Sequence, residues 1–130
     1  MAEEVLTVFT TWPDVETART AARALVEERL AACGNIVPGV ESVYRWEGKV
    51  ETGAEVLVIF KTALGSYPAF ETRLRALHPY EVPEVLALRI ADGLPAYLRW
   101  VEQNCGERVA RSFEAGPSPC ARNRKNLPSF

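Results

Sequence analysis

The sequence predicts an α+β fold of the ferredoxin-like type, β-α-β-β-α-β followed by a C-terminal helix. Short apolar runs rich in β-branched residues alternate with segments of helical period in that order. A split β-α-β unit that occurs twice gives the strand order 4-1-3-2. The two most uniformly apolar runs, 5–9 and 56–60, then fall on the two central strands. Order and hydrophobicity therefore predict the same sheet.

The first elements are marked by their ends. Residues 5–9 form a β-prone run that stops at Pro13. Asp14 is a suitable N-cap for a helix with an alanine- and leucine-rich face. We expect that helix to continue through Leu30 and to end near Gly34.

A hairpin is predicted next. Residues 36–46 read as a strand, although Pro38 and Gly39 interrupt it and indicate a bulge or an irregular edge. Residues 47–49 form the turn, and Val50 begins the returning arm. That arm leads into residues 56–60, the strongest strand pattern of the chain.

The last elements follow the same logic. Apolar residues at helical spacing from Tyr67 to Leu77 predict a second helix, with a proline in its first turn. Residues 85–90 predict the fourth strand. A third helix is expected from Pro95 to before Gly106.

Composition limits the class of protein. The chain has 130 residues, of which 48% are hydrophobic and 25% charged, and its net charge is -2. We therefore expect a single folded domain. Its charge does not give the positive electrostatic potential that nucleic-acid binding needs. No apolar run reaches the ~20 residues of a membrane span. The acidic start lacks the positive charge of a signal peptide, and three widely spaced cysteines make no disulfide framework. We expect a cytoplasmic protein that binds neither nucleic acid nor membrane.

Charge divides the chain into two parts. Residues 1–105 hold ten basic and fifteen acidic side chains, whereas residues 106–130 hold five basic and two acidic ones. The second part also contains prolines and few apolar residues. We therefore predict a folded domain over 1–105 and a basic C-terminal tail over 106–130, either disordered or packed on the surface.

The third strand predicts self-association. Val56, Val58 and Phe60 lie on one face of that strand, but Leu57 and Ile59 on the other are apolar as well. Helices cover only one face of a ferredoxin-like sheet, and each such side chain left in water forgoes roughly 1.5–3 kcal/mol. Burial against another subunit is the simplest cover, and a third helix or the tail is the alternative.

Signatures of catalysis are absent from the sequence. His78 is the only histidine, no P-loop or nucleophile-elbow pattern occurs, and no cysteine pair has zinc-binding spacing. His78 and Glu84 as an acid–base pair would be the enzymatic reading, but neither a nucleophile nor a cofactor motif accompanies them. We expect no enzymatic activity.

Two dense stretches are candidates for a binding site. Tyr44 and Trp46, two apart on one strand face, suit either a ligand or packing against a neighbour. His78, Tyr80 and Glu84 lie on a connection that two prolines stiffen. Histidine and carboxylate there suit a metal or a proton transfer, while His78 alone suits a cap on the second helix.

These stretches resemble the CutA divalent-cation tolerance family. The resemblance is carried by residues 44–50 (YRWEGKV) and 78–84 (HPYEVPE), with residues 28–39 (ERLAACGNIVPG) and 97–101 (YLRWV) also similar. It covers about residues 4–105. It implies a ferredoxin-like subunit in a tight homotrimer of PII-like architecture, and a cytoplasmic, non-enzymatic protein that serves tolerance of copper and other divalent ions.

The resemblance also implies a cleft between subunits. Its residues here are Tyr44, Trp46, Lys61, His78, Tyr80 and Glu84. His78 is the implied metal ligand, but Thr10 and Leu77 stand where copper-binding members have a cysteine and a histidine. The resemblance therefore implies weak binding of Cu(II) or another divalent cation and no essential cofactor. The alternative is a PII-like signalling or sensor trimer whose cleft binds a small anionic metabolite, because Lys61 attracts anions.

Overall fold

The structure, a computed structural model, describes residues 4–106 as four strands, three α-helices and a single turn of 3-10 helix at Leu64–Ser66. The strands form one antiparallel sheet, and the helices connect or follow them. In chain order the elements are β1 (Val5–Trp12), α1 (Val15–Glu27), β2 (Cys33–Trp46), β3 (Lys49–Ala63), α2 (Tyr67–Leu77), β4 (Val85–Arg89) and α3 (Pro95–Gln103).

The sheet has the order β2-β3-β1-β4, which is the predicted order 4-1-3-2 read from the other edge. The predicted α+β class is confirmed. The central pair β1 and β3 is in register from Val5 opposite Ala63 to Trp12 opposite Val56. Because β3 is fifteen residues long and β1 only eight, β2 and β3 extend past the sheet as a projecting hairpin.

Local sequence signals set this hairpin. Its register shifts between Val37 and Val40, so the predicted irregularity at Pro38 and Gly39 is confirmed. At the tip, Glu47 and Gly48 both have positive φ, 49° and 81°. Two consecutive positive φ angles are typical of the tight turn whose twist matches that of the flanking strands.

The predicted N-terminus of α1 is confirmed and its predicted C-terminus is wrong. The Asp14 carboxylate accepts a hydrogen bond from the Thr17 amide at 2.8 Å. The helix stops at Glu27, however, because Arg29 adopts a left-handed φ of 61°. The Arg29 guanidinium donates to the carbonyl oxygens of Gln103 and Gly106, both at 2.7 Å, and so ties this helix end to the end of α3.

The main core lies between one face of the sheet and helices α1 and α2. Val58, Phe60, Leu25, Phe70 and Leu74 are fully buried there. Gly34 pairs with Phe60, and a Cβ at Gly34 would lie 2.9 Å from the Phe60 ring. Glycine is therefore required at this position, because the Phe60 ring lies where a side chain of residue 34 would begin.

The opposite face of the sheet is covered at one end only. Val5 and Ala63 are buried there in a second cluster with Val101 and Cys105 of the α3 region. The rest of this face stays open and is largely apolar, with Leu86 56% and Leu88 50% exposed. We call this open region the apolar face; its members are Phe9, Val37, Leu57, Ile59, Leu86 and Leu88.

The third helix thus covers part of the second face of the sheet. The sequence had left a third helix open as an alternative to subunit association for covering this face, and the helix does so at one end only. None of the helices in residues 4–106 has the length and the hydrophobicity needed to cross a bilayer. The predicted basic tail lies outside the described residues beyond Gly106.

Candidate functional site

A groove of about 830 Å³ opens where the projecting hairpin leaves the sheet. One wall is the hairpin, and the other is the loop from Tyr80 to Glu84 that precedes β4. Thr11 lies at the end of the sheet between them. The side chains that give the groove its chemistry are three aromatic residues and four carboxylates: Tyr44, Trp46, Tyr80, Glu51, Glu55, Glu81 and Glu84.

The hairpin presents its aromatic residues on this side through the strand register. Tyr44 lies opposite Glu51, and Trp46 is two residues farther along the same face. Gly53 leaves room beside Tyr44, whose hydroxyl would be 3.5 Å from a Cβ there. Trp46 is 59% exposed and Tyr44 43%, so both rings are available for contact.

His78 anchors the other wall. Its ring is buried and stacks on Trp12, with 4.1 Å between ring centroids, and the Tyr80 ring lies 4.8 Å away on a tilted plane. Nδ1 is 3.1 Å from the Tyr80 amide, which can only donate, so Nδ1 accepts. The proton of the neutral ring is then on Nε2, which donates to the Thr11 carbonyl at 2.7 Å.

These contacts define the role of His78. Both ring nitrogens are hydrogen-bonded within the chain, so a metal would have to displace the Tyr80 amide to reach Nδ1. Burial lowers the pKa of His78, outweighing the Thr11 carbonyl and Glu55, which both raise it. His78 also occupies the C-cap of α2, but only its backbone amide bonds to that helix, at Leu74. The ring therefore fixes the loop to β1 rather than capping α2.

Carboxylates dominate the electrostatics of the groove. The Tyr80 hydroxyl donates to Glu55 at 3.2 Å, and partial burial followed by this carboxylate raises the pKa of Tyr80. The ion pairs formed within residues 4–106 involve other acidic residues, and no lysine or arginine of that range lines the groove. A single subunit thus offers a negative, aromatic surface.

The sequence reasoning missed three of these carboxylates. It placed Tyr44, Trp46, Tyr80 and Glu84 at the site, and the structure brings all four to the groove. Glu51, Glu55 and Glu81 were not identified. Pairing the hairpin around Gly48 would have found Glu51, because it lies opposite Tyr44.

Lys61 does not join them within one subunit. It lies six residues beyond Glu55 on β3, roughly 20 Å along the strand. There it pairs with Cys33 across the sheet and donates a hydrogen bond to the Asn35 side chain. Only Lys61 of another copy could reach the groove.

Within residues 4–106, no three histidine, cysteine or acidic side chains come together as a metal site. Thr10 has a packing role instead: its hydroxyl donates to the Val58 carbonyl at 3.0 Å and accepts from the Trp12 indole at 2.7 Å. Cys33 lies beside the Tyr97 hydroxyl, 3.7 Å away. Neither residue faces His78 across a shared site.

Comparison with known proteins gives consistent matches. Residues 6–104 match the family described as CutA1 divalent ion tolerance protein. The divalent-cation tolerance protein CutA of Thermus thermophilus is 54% identical over 104 residues, which cover 80% of this chain and 99% of that protein. Protein CutA of Mus musculus is 46% identical over 87% of this chain, which spans 63% of the mouse protein.

A solved structure agrees in fold as well as sequence. The divalent cation tolerance protein (Cut A1) from Thermus thermophilus superposes with a TM-score of 0.77 at 52% identity, covering 78% of this chain and 99% of that one. Family match, sequence identity and fold point the same way over the sheet and all three helices. The chain therefore belongs to the CutA1 divalent ion tolerance family.

Proposed function

We propose that this protein is a cytoplasmic homotrimer for divalent-cation tolerance, acting by binding rather than catalysis. Its subunits, of ferredoxin-like topology, would assemble in a PII-like arrangement. They would hold Cu(II) or another divalent cation weakly, without an essential cofactor. Family membership supports the link to divalent cations, and the structure supplies the arguments for assembly and for weak binding.

The apolar face is the single observation that carries the proposed assembly. Three large apolar side chains are exposed there and three more are half-buried, although α3 covers the end of the same face. Exposed apolar patches of this kind mark interaction surfaces. Three copies packed through these faces would bury them and would bring each Lys61 toward a neighbouring subunit.

Weak cation binding is supported by the groove. Carboxylate oxygens attract divalent cations, and four of them line it. They are spread along two walls rather than gathered around one point, and both nitrogens of His78 are already hydrogen-bonded. Tight copper sites need nitrogen or sulfur ligands held close together. We therefore expect low affinity and little dependence on His78.

The anionic-metabolite alternative is not favoured. Four carboxylates would repel an anion from the groove, and the lysine that would attract it lies at the other end of β3.

A location in the cytoplasm is consistent with Cys33 and Cys105, which are both free thiols.

Native mass spectrometry with and without Cu(II), followed by calorimetric titration, tests the proposal. We expect a trimer in both conditions. The copper dissociation constant should be in the micromolar range or weaker, which corresponds to a binding free energy of about −8 kcal/mol or a less favourable one. Glu55→Gln/Glu84→Gln should weaken binding, whereas His78→Phe, which keeps a stacked ring but offers no nitrogen ligand, should change it much less. Glu41→Gln, on the outer face of the same hairpin, is the matched control. A monomer, or a subnanomolar constant that is lost in His78→Phe, would contradict the proposal.

A further inference from the structure

We infer that Arg29 clamps α3 to the sheet, and that α3 with the residues up to Gly106 opens as a unit of its own when this clamp is released. Opening would uncover the thiol of Cys105 while the rest of the subunit stays folded. The inference concerns a conformational device within one subunit, so it does not depend on the proposed cation binding.

Arg29 is held in a backbone conformation that its residue type disfavours. Its φ is 61°, and a left-handed φ is costly for a residue with a Cβ, so glycine or asparagine is the usual choice where a helix ends in this way. Such a conformation persists where the surrounding contacts over-determine it. The contacts of Arg29 therefore offset this strain.

Three hydrogen bonds connect Arg29 to the end of α3. Its guanidinium donates to the carbonyl oxygens of Gln103 and Gly106, and its own carbonyl accepts the Gly106 amide. The last carbonyl groups of a helix lack partners within the helix and carry partial negative charge, so a guanidinium suits them. Glycine at position 29 would relieve the backbone strain but lose the two bonds of the side chain. The arginine side chain therefore has a role that the backbone conformation alone does not explain.

Apart from this clamp, the packing that holds α3 is shallow. Of its nine residues only Val101 is fully buried, whereas α1 buries four of thirteen. Tyr97, Leu98 and Trp100 are half-buried beside Val101. A helix of nine residues has little stability of its own in water, and elements with few buried contacts open locally without global unfolding. These features place α3 among the least stable elements of this fold.

The cluster beneath α3 contains a thiol. Cys105 is 8% exposed, and its Sγ lies 3.8 Å from the Thr62 hydroxyl. Burial raises the pKa of Cys105, so the closed form holds a protonated and unreactive thiol. Val5 and Ala63 belong to the same cluster and lie on the side of the sheet that carries the apolar face. Opening would therefore expose the thiol and extend the apolar face, and the second effect rests on the proposed assembly.

Amide hydrogen exchange of the full chain, measured by mass spectrometry, tests the inference. In the unaltered protein, peptides from α3 should exchange faster than peptides from β3. Their rate should change little in urea below the unfolding transition, because local opening exposes little surface. Arg29→Gly should speed exchange in α3 by roughly tenfold or more, which corresponds to the loss of one or two hydrogen bonds, and should leave β3 unchanged.

Arg73→Gln is the matched control for Arg29→Gly. The Arg73 guanidinium also bonds at this end of α1, donating twice to the Glu28 carboxylate at 3.0 Å, but it connects α1 with α2. Exchange in α3 should therefore stay unchanged in Arg73→Gln. Arg29→Lys keeps the charge without the planar pair of donors, so its effect on α3 should be smaller than that of Arg29→Gly.

Several results of the exchange experiment would overturn the inference. Equal exchange rates in α3 and β3 of the unaltered protein would show that α3 opens only with the whole fold. Loss of the whole fold in Arg29→Gly, seen by circular dichroism, would show the same. Slower exchange in Arg29→Gly would mean that relief of strain outweighs the clamp, and equal acceleration in Arg73→Gln would mean that the effect is not specific to α3.

Labelling of Cys105 with iodoacetamide provides an independent readout. Modification of Cys105, assigned by peptide mass spectrometry, should be roughly tenfold faster in Arg29→Gly and unchanged in Arg73→Gln. Repeating the measurement over a roughly tenfold range of protein concentration separates the clamp from any cover by a neighbouring subunit. A labelling rate that depends on concentration and not on residue 29 would contradict the clamp.

Discussion

The two faces of the sheet carry equally apolar residues but are packed differently. On the helix side, Val58 and Phe60 are completely buried beneath α1 and α2. On the other side, their neighbours Leu57 and Ile59 are only half-buried, and Leu86 is 56% exposed. One face is therefore fully buried in the core of the subunit. The other is only partly covered, and nothing else in the described residues covers the remainder.

This difference separates two kinds of stability. Burial on the helix side maintains the fold of one subunit, whereas burial on the open side would come from association. A charge placed on either face removes apolar contact, but only on the helix side must it be buried without a partner. Substitutions at neighbouring positions of β3 should therefore fail in different ways.

Val58→Asp should have the largest effect. A carboxylate at this fully buried position has no cation to pair with and lies among apolar side chains. We expect a loss of more than about 4 kcal/mol, enough to unfold most of the protein, because domains are stable by only roughly 5–15 kcal/mol. Circular dichroism and urea unfolding measure it.

Val58→Ala is the matched control for that substitution. It creates a small cavity without introducing charge, so it should lower the free energy of unfolding by roughly 2 kcal/mol and keep the fold. A folded Val58→Asp protein with near-normal stability would show that the helix side is not the core we describe.

Ile59→Asp, one residue farther on β3, should dissociate the assembly and leave folded subunits. Its side chain points to the apolar face, where water can reach a carboxylate in the free subunit. Sedimentation should give monomers while circular dichroism stays close to that of the unaltered protein. Thr52→Asp, on the hairpin outside the apolar face, is the control and should keep the assembly. Trimers of Ile59→Asp would contradict the proposed use of this face.

Much of this contrast could be predicted from sequence, because local signals determine the elements. The Asp14 cap, the turn at Gly48 and the bulge at Pro38 were all confirmed. Alternation along β3 also indicated that both of its faces are apolar. Each of these signals depends on residues a few positions apart.

What could not be predicted depends on contacts between distant segments. The early end of α1 involves Arg29 and Gly106, 77 residues apart. The orientation of His78 depends on the Thr11 carbonyl, 67 residues away, and the distance of Lys61 from the groove requires the pairing register. The resemblance implies that Lys61 and Trp46 share a cleft between subunits; within one subunit Trp46 lies at the hairpin tip and Lys61 near the other end of β3.

His78 packs on Trp12 in the core and on Tyr80 in the groove wall. Its replacement should therefore lower the free energy of unfolding by an intermediate amount. His78→Ala loses the stack on Trp12 and both ring hydrogen bonds, leaving the Thr11 carbonyl without its donor. We expect the free energy of unfolding to fall by about 2–3 kcal/mol. His78→Phe, which keeps a stacked ring, should recover part of the loss. No loss in either variant, measured by urea unfolding, would contradict this structural role.

The smallest expected effect is the pH dependence that His78 contributes. Burial lowers the pKa of His78 in the folded protein below the 6.5 of an ordinary histidine, so the unfolded chain binds the proton more readily. The contribution of His78 to stability is therefore complete above pH about 6.5 and is lost as the pH falls below it, by at most about 1.4 kcal/mol per pH unit. Protonation of Nδ1 would also break its hydrogen bond from the Tyr80 amide and so loosen the groove wall.

Because His78 is the only histidine, its imidazole proton resonances report this titration without overlap. We expect a midpoint below 6.5, and we expect the stability difference between the unaltered protein and His78→Phe to shrink as the pH falls. Carboxylates titrate in both proteins, so their effect largely cancels in that difference. A midpoint above 6.5, with a difference that grows toward acid pH, would mean that Glu55 outweighs burial and that the charged ring is the form the fold prefers.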